Sequence, residues 1–252
     1  MKEEFNREYW NKFYQSPEVV GSQNDLIFQD LSHRVIMRSI EAHSNILVAG
    51  CGNGHGFDIY SEFSCTPVGF DFSSTGIESA LNKYPQFLFT VRDMTQQQDD
   101  LIGKFNYVIT ERSLTNLSSR DIQRKTILLL LKYLSPGGKL IICEPYLSGY
   151  KSINLLRQSL RLSPLAFHDN AVFGDDDLFE GLPIKVETTV TFGVYTLISR
   201  VIYPAMIFPE APKFQSSWNG IAAQLCLQTI SDEVYNHLPS QHKLWIIKEG
   251  GE

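Results

Sequence analysis

Apolar residues follow two rhythms along this chain. Short unbroken runs such as Ile46-Leu-Val-Ala49 alternate with stretches in which apolar positions return every third or fourth residue. The runs suit strands buried on both faces of a parallel sheet, and the slower rhythm suits amphipathic helices. The pattern predicts helices over 5–15 and 24–42, the second with Leu26, Ile27, Leu31, Val35, Ile36 and Ile40 on one face. A first strand follows at 46–49 and a second over 66–73, then a helix over 76–84 with Ser73 and Ser74 as N-caps. Third and fourth strands fall at 87–91 and 105–110. A helix over 121–134, ended by Pro136-Gly137-Gly138, precedes a fifth strand at 139–143. Beyond it the pattern gives a helix at 153–157, a β-branched sixth strand over 183–194, helices over 197–207 and 218–230, and a last strand over 242–248. Strands and helices in this alternation predict an α/β fold: a doubly wound, mostly parallel seven-stranded sheet with helical insertions near the C-terminus.

The first strand runs into Gly50-Cys-Gly-Asn-Gly-His-Gly56. Gly50, Gly52 and Gly54 let the backbone take left-handed or crowded conformations, so main-chain groups can approach a ligand without an intervening Cβ. Open α/β sheets bind cofactors at such a loop, where a strand's carboxyl end feeds a helix. The second strand ends on Asp71, about twenty residues further on, where a carboxylate can accept two hydrogen bonds from a ribose diol. Phe72 beside it either flanks an adenine or simply packs. The dinucleotide pattern G-x-G-x-x-G fails, because His55 stands where its third glycine belongs. There is no G-x-x-x-x-G-K-[ST] loop, and no Lys or Arg lies between His43 and Lys83 to neutralise a pyrophosphate. The ligand expected is an adenosine without phosphates.

Val48-Ala-Gly-Cys-Gly-Asn-Gly54, Asp71, Asp93-Met94 after the third strand, and Leu134-Ser-Pro-Gly-Gly-Lys-Leu140 stand in an order and spacing that resembles the class I S-adenosylmethionine-dependent methyltransferases. The resemblance covers about residues 5–146. It implies a Rossmann-like methyltransferase fold and S-adenosyl-L-methionine as cofactor, held by Gly50, Cys51, Gly52, Gly54, Asp71 and Phe72. It also places Asp93 at the adenine amino group, Met94 at a neighbouring backbone contact, and Glu111 at the cofactor's amino-acid end. Aromatics at helical spacing in the N-terminal segment, Tyr9, Trp10 and Tyr14, look like those that cover the cofactor in relatives; an aromatic face attracts a sulfonium cation. Ala49 departs from the family, which usually carries an acidic residue there. On this view residues 1–252 form one methyltransferase domain: 1–43 N-terminal helices and lid, 44–146 the cofactor-binding core, 147–240 acceptor-side insertions.

The charge balance narrows the acceptor. A net charge of −6 and a pI near 5.5 argue against a large nucleic-acid surface, which needs clustered Lys and Arg. No apolar run is long enough for a signal peptide or a membrane span, so a cytoplasmic protein without membrane insertion is expected. Cys51, Cys65, Cys143 and Cys226 are widely spaced and read as reduced thiols. No metal site is expected: Gly174-Asp-Asp-Asp177 reads as a solvated turn and cap, and His33 and His43 read as surface residues. His55 reads as a neutral neighbour of the backbone.

Methyl transfer needs alignment of acceptor, methyl and sulfur, and a hydroxyl acceptor also needs a base. His168 is the expected base, Glu144 at the end of the fifth strand a catalytic or substrate contact, and Arg112 after the fourth strand a positioner of the acceptor. Asn154, Arg157, His168, Asn170, Ser199, Arg200 and Asn219 resemble, more loosely, methyltransferases acting on sugars in polysaccharide biosynthesis. Thr110-Glu-Arg-Ser113 stands where an N-P-P-Y-type tetrapeptide would mark methylation of base or glutamine amide nitrogens. The expected partner is a saccharide or another small hydroxylated acceptor. A small-molecule amine, a quinone, a protein side chain, a non-catalytic cofactor-binding module and a nicotinamide oxidoreductase stay open, as does the oligomeric state.

Overall fold

The computed structural model describes residues 2–16, 19–20, 24–166, 171–172 and 174–250. Its centre is a seven-stranded sheet in the order β3-β2-β1-β4-β5-β7-β6. The strands are β1 (Asn45–Ala49), β2 (Thr66–Asp71), β3 (Leu88–Val91), β4 (Phe105–Glu111), β5 (Leu134–Pro145), β6 (Ile184–Thr191) and β7 (His242–Glu249). Strands β1 to β5 pair in parallel, and β7 inserts antiparallel between β5 and β6. The mostly parallel α/β sheet expected from the alternation of elements is the one observed.

Helices α1 (Lys2–Tyr14) and α2 (Leu26–Met37) precede the sheet; α3 (Phe57–Glu62), α4 (Ser74–Lys83) and α5 (Arg120–Leu131) connect its parallel strands. After β5 come α6 (Leu147–Ser159), α7 (Gly193–Leu197), α8 (Tyr203–Ile207), α9 (Ser217–Thr229) and α10 (Glu233–Asn236). The single helix expected over 197–207 is instead a short α-helical turn, a π-helical stretch at Ile198–Ile202 and α8. The fifth strand begins five residues earlier than its apolar run, because Leu134 already pairs with Phe105 across an irregular register.

Side chains of β1 alternate between two buried layers. Ile46 and Val48 join Phe28, Val35, Ile36, Phe57, Tyr60 and Ile109 on one face of the sheet. Leu47 and Ala49 join Phe70, Val108, Ile127, Leu130, Leu140 and Ile142 on the other. Burial on both faces explains why these strands read as unbroken apolar runs.

Register decides what meets at the carboxyl edge. Ala49 lies beside Phe70 and Thr110, Asp71 beside Val91, and Glu111 beside Cys143. Gly50, Asp71, Asp93, Glu111 and Glu144 therefore emerge within one or two residues of a common line. The chain runs outward from β1 to β2 and β3 on one side, and to β4 and β5 on the other. The β1/β4 boundary is thus the switch point at which open sheets leave a crevice.

Candidate active site

The ends of β1 to β4 open into one cleft of about 1090 Å3, counted out to its solvent-filled mouth. Its floor is the turn after β1. The amides of Gly50 and Cys51 both donate to the Phe70 carbonyl, at 2.8 and 3.0 Å, which draws the loop across the tip of β2. Gly50 has φ +77°, and a Cβ there would fall 2.3 Å from Ser113 Oγ. At Gly52, φ +55°, a Cβ would fall 2.2 Å from the Tyr14 hydroxyl. Only glycine permits both the left-handed turn and these close approaches.

Asp71 faces this floor. Its Oδ2 accepts from the Gly52 amide at 2.9 Å and its Oδ1 from the Ser73 amide at 2.8 Å. Burial raises the carboxyl to about 6, although those amides and that of Phe72 favour the charged form. A carboxylate offers about four lone-pair sites, so acceptor capacity remains for a ligand beyond these amides. Phe72 lines the cleft with the Arg7 guanidinium 6.0 Å from its ring centroid, alongside Met94 and Asp93. Asp93 Oδ1 accepts from the amide and hydroxyl of Thr95, at 2.9 and 2.7 Å.

Helix α1 crosses the mouth. Asn6 Nδ2 donates to the Asn116 carbonyl at 2.6 Å, beyond β4, and the Thr75 hydroxyl donates to the Asn11 carbonyl at 2.8 Å, beyond β2. The helix thus brings Trp10 and Tyr14 into the lining, their rings stacked 5.8 Å apart. Burial, and then the Asp71 charge, push the Tyr14 phenol well above its ordinary value. Tyr9 is 47% exposed and does not line the cleft.

The opposite wall is charged. Glu111 Oε2 lies 2.8 Å from His33 Nε2, and its Oε1 accepts from Ser32 Oγ and Arg112 Nη1. Burial alone would raise this carboxyl; Arg112 and His33 together hold it well below the usual range. Arg112 has φ +50°, a conformation that costs a non-glycine residue on the order of 1 kcal/mol. Its amide donates to the Cys143 carbonyl at 2.9 Å, and the ion pair with Glu111 folds the guanidinium back over the wall.

Several expected site residues lie elsewhere. Glu144, 4% exposed, does not line the cleft: Oε1 accepts from the amides of Ser113 and Leu114 at 2.8 and 2.9 Å, so it pins the turn after β4. Its expected contact with substrate is thereby corrected to a role beneath the site. Gly54, φ +73°, gives room to Phe89 and Ala80 and makes no part of the lining. His168, Asp169 and Asn170 lie outside the described residues. Asn154, Arg157, Ser199, Arg200 and Asn219 bond mainly to backbone carbonyls or, for Arg200, to Asp25 and Gln241. None of these five lines the cleft, and among the described residues the lining stops at Leu117.

Glu144 leaves a signature in stability. Burial raises its carboxyl to about 7 from 4.5, against the pull of the three amides. Between those values the unfolded chain loses a proton that the folded chain keeps, so stability falls as pH rises through this window. Glu144→Gln is expected to remove up to about 3 kcal/mol of that fall between pH 4.5 and 7. Urea unfolding at pH 5 and 7.5 compares the two; an identical pH difference in both proteins contradicts the assignment.

Sequence patterning missed Asn6, Arg7, Gln29, His33, Tyr60, Ser113 and Asn116, all in the lining. His33, expected at the surface, is only 3% exposed. Its helix buries Gln29, Ser32 and His33 beside the apolar stripe because one edge of α2 covers the polar mouth of the sheet rather than its core. Polar residues interrupting that stripe were the available signal. His55, expected to sit neutrally by the backbone, instead has Nε2 3.0 Å from Asp30 Oδ1.

Comparisons with known proteins agree with the fold. Residues 40–176 match the family model described as a methyltransferase domain. No curated protein sequence matches the chain. Among solved structures, the N-methyltransferase NodS from Bradyrhizobium japonicum, in complex with S-adenosylhomocysteine, superposes with a TM-score of 0.59 at 14% identity, covering 98% of this chain and 99% of that one. Phosphoethanolamine N-methyltransferase 1 of Haemonchus contortus gives 0.63 at 14% identity, with 100% of this chain on 50% of that one. A chain from the complex between the Haloferax volcanii Trm112 methyltransferase activator and a methyltransferase gives 0.63 at 12% identity, over 96% and 98%. At these identities the likeness is one of fold.

Proposed function

The chain belongs to the methyltransferase-domain family, and we propose that it transfers the methyl group of S-adenosyl-L-methionine to a hydroxyl of a small polar acceptor, a saccharide being the favoured class. The observation that carries the reading is Asp71: a buried carboxylate, fixed by the Gly52 and Ser73 amides, with acceptor capacity turned to the cleft. The ribose diol sits on Asp71, the adenine lies between Phe72 and Met94 near Asp93, and the amino-acid end reaches over Gly50 toward Glu111. Residues 1–43 act as the lid, with Trp10 and Tyr14 turned to the cofactor, and residues 44–146 form its platform.

The methyl group then points at the wall of His33, His55, Glu111, Arg112 and Asn116. These groups offer both donors and acceptors, which suits a hydroxylated ligand better than an apolar one. Arg112 positions the acceptor, and among the described residues the acceptor end is built by α2 and the tip of β4. Transfer is an in-line displacement at an already activated carbon, so alignment supplies most of the rate. The hydroxyl proton passes to a general base, for which His168 is the candidate, as the new C–O bond forms, and the sulfonium departs as a neutral thioether.

Two measurements test this. Calorimetry with S-adenosylhomocysteine is expected to show one site per chain. Incubation with S-adenosyl-L-methionine and panels of mono- and oligosaccharides, amines and phenols, read by mass spectrometry, is expected to add one methyl group to a sugar hydroxyl. Methylation confined to amines replaces the acceptor class; binding of NAD in place of S-adenosylhomocysteine ends the reading.

A further inference from the structure

Asp30 and His33 stand three residues apart on α2 and so share a face of that helix. His55 reaches the same place from the glycine loop, its ring 5.8 Å from that of His33. One donor atom from each of the three residues lies within 4.8 Å of one from each of the others. The cofactor floor at Gly50, Gly52 and Asp71 uses none of them.

Two ring nitrogens of the cluster bear on what it can bind. His33 Nε2 donates to Glu111 Oε2 at 2.8 Å, which fixes the tautomer and leaves the lone pair on Nδ1. That Nδ1 is buried without a hydrogen-bond partner, and so is Nδ1 of His55. A buried polar atom left unsatisfied costs about 1–3 kcal/mol, so a ligand bound at His33 Nδ1 would be stabilised by that amount. A Cβ at Gly56 would fall 2.4 Å from His33 Nδ1, so this edge of the ring faces the turn that carries His55. Glu111 stands behind His33 as carboxylates stand behind metal-ligating histidines, orienting the ring.

We infer that Asp30, His33 and His55 form a binding site for a divalent transition cation of the zinc type. Two imidazoles and one carboxylate suit zinc and its neighbours, whereas magnesium and calcium demand oxygen ligands. Zinc bonds of about 2.0–2.2 Å require the donors to draw together. Asp30 can supply that movement, because its side chain is 56% exposed and already lies 3.0 Å from His55 Nε2. Three protein donors leave a fourth position open. His33 and His55 line the cleft, so that position faces the side where the acceptor binds. The cation then offers a docking point for an acceptor oxygen; this consequence, but not the site itself, rests on the proposed function.

The test titrates chelator-stripped protein with Zn2+ by calorimetry and with Co2+ by visible absorption. The expected result is one equivalent bound, with the absorption bands of low-coordinate Co2+. Asp30→Asn and His55→Ala should each weaken Zn2+ binding at least tenfold, within the usual range for lost ligands and their supports. Asp30→Asn alters an exposed side chain, so its loss of affinity is not a loss of fold; far-ultraviolet circular dichroism verifies this. Absence of one-to-one uptake by the unaltered protein, or an affinity in both variants unchanged from that of the unaltered protein, overturns the site. A parallel titration with S-adenosylhomocysteine in chelator separates the two readings. Cofactor binding without Zn2+ uptake removes the metal site alone, and Zn2+ uptake without cofactor binding removes the methyl-transfer reading alone.

Discussion

Asp71→Ala is expected to weaken S-adenosylhomocysteine binding at least tenfold, and Asp71→Asn by less. The carboxylate accepts from the Gly52 and Ser73 amides and keeps acceptor capacity for a vicinal diol. Each charge-assisted hydrogen bond is worth about 1.5–3 kcal/mol, so losing even one exceeds the 1.4 kcal/mol of a tenfold change. The variant also frees the two amides that shape the floor, and the floor loosens with the ligand contact. Asparagine restores one acceptor and opposes the other amide with a donor. Isothermal titration at pH 8 measures both, and an unchanged Kd in Asp71→Ala would move the nucleoside away from β2.

The same residue fixes a pH dependence. Burial holds the Asp71 carboxyl at about 6 in the empty cleft, and the diol binds the ionised form. Below that value the protein must lose a proton to bind, so affinity falls by up to about tenfold per pH unit on the acid side and is flat above it. In Asp71→Asn the acid limb of the profile disappears.

The sheet and the cofactor floor were legible because their signals are local. Ile46-Leu-Val-Ala49 is apolar throughout since both its faces are covered, and Gly50 and Gly52 are glycines since Ser113 and Tyr14 press on them. Asp71 is one residue past Phe70, whose carbonyl anchors the loop. The charged wall was illegible for the opposite reason. His33, Glu111 and Arg112 are far apart in sequence, and nothing short of the β1–β4 register and the seat of α2 brings them together. Glu144 showed the right residue at the right strand end but not its direction. Strand β5 reaches Pro145 beside antiparallel β7, and at that level the nearest donors are the amides of the turn above β4. The looser likeness to sugar-modifying enzymes rested on Asn154, Arg157, His168, Asn170, Ser199, Arg200 and Asn219, of which the described ones lie within the stretch from α6 to α9. Their hydrogen bonds tie those helices to the body: Arg157 holds the carbonyls of Ser163 and Arg200, and Arg200 holds Asp25.

Replacing Glu111 should have the largest effect on stability. Its two oxygens receive Ser32, Arg112 and His33, and the side chains of Glu111 and Arg112 are only 7% and 12% exposed. Breaking a buried pair by removing one partner costs about 3–5 kcal/mol, because the desolvated charge that stays behind loses its counterion. Glu111→Gln keeps the shape but turns an amide donor toward His33 or Arg112, which are donors themselves. A loss of about 3 kcal/mol or more is therefore expected in urea unfolding at pH 7. The double variant Glu111→Gln with Arg112→Gln should recover part of it, because the guanidinium no longer has to be buried without its carboxylate. Since Arg112 and His33 hold the Glu111 carboxyl below its ordinary value, its contribution is present above about pH 4.5, where the unfolded chain has lost the same proton. It fades as the pH falls toward the folded-state value, so acid narrows the gap between Glu111→Gln and the unaltered protein. A gap below about 1 kcal/mol at pH 7, or one that widens in acid, would show that the wall of the cleft does not depend on this pair.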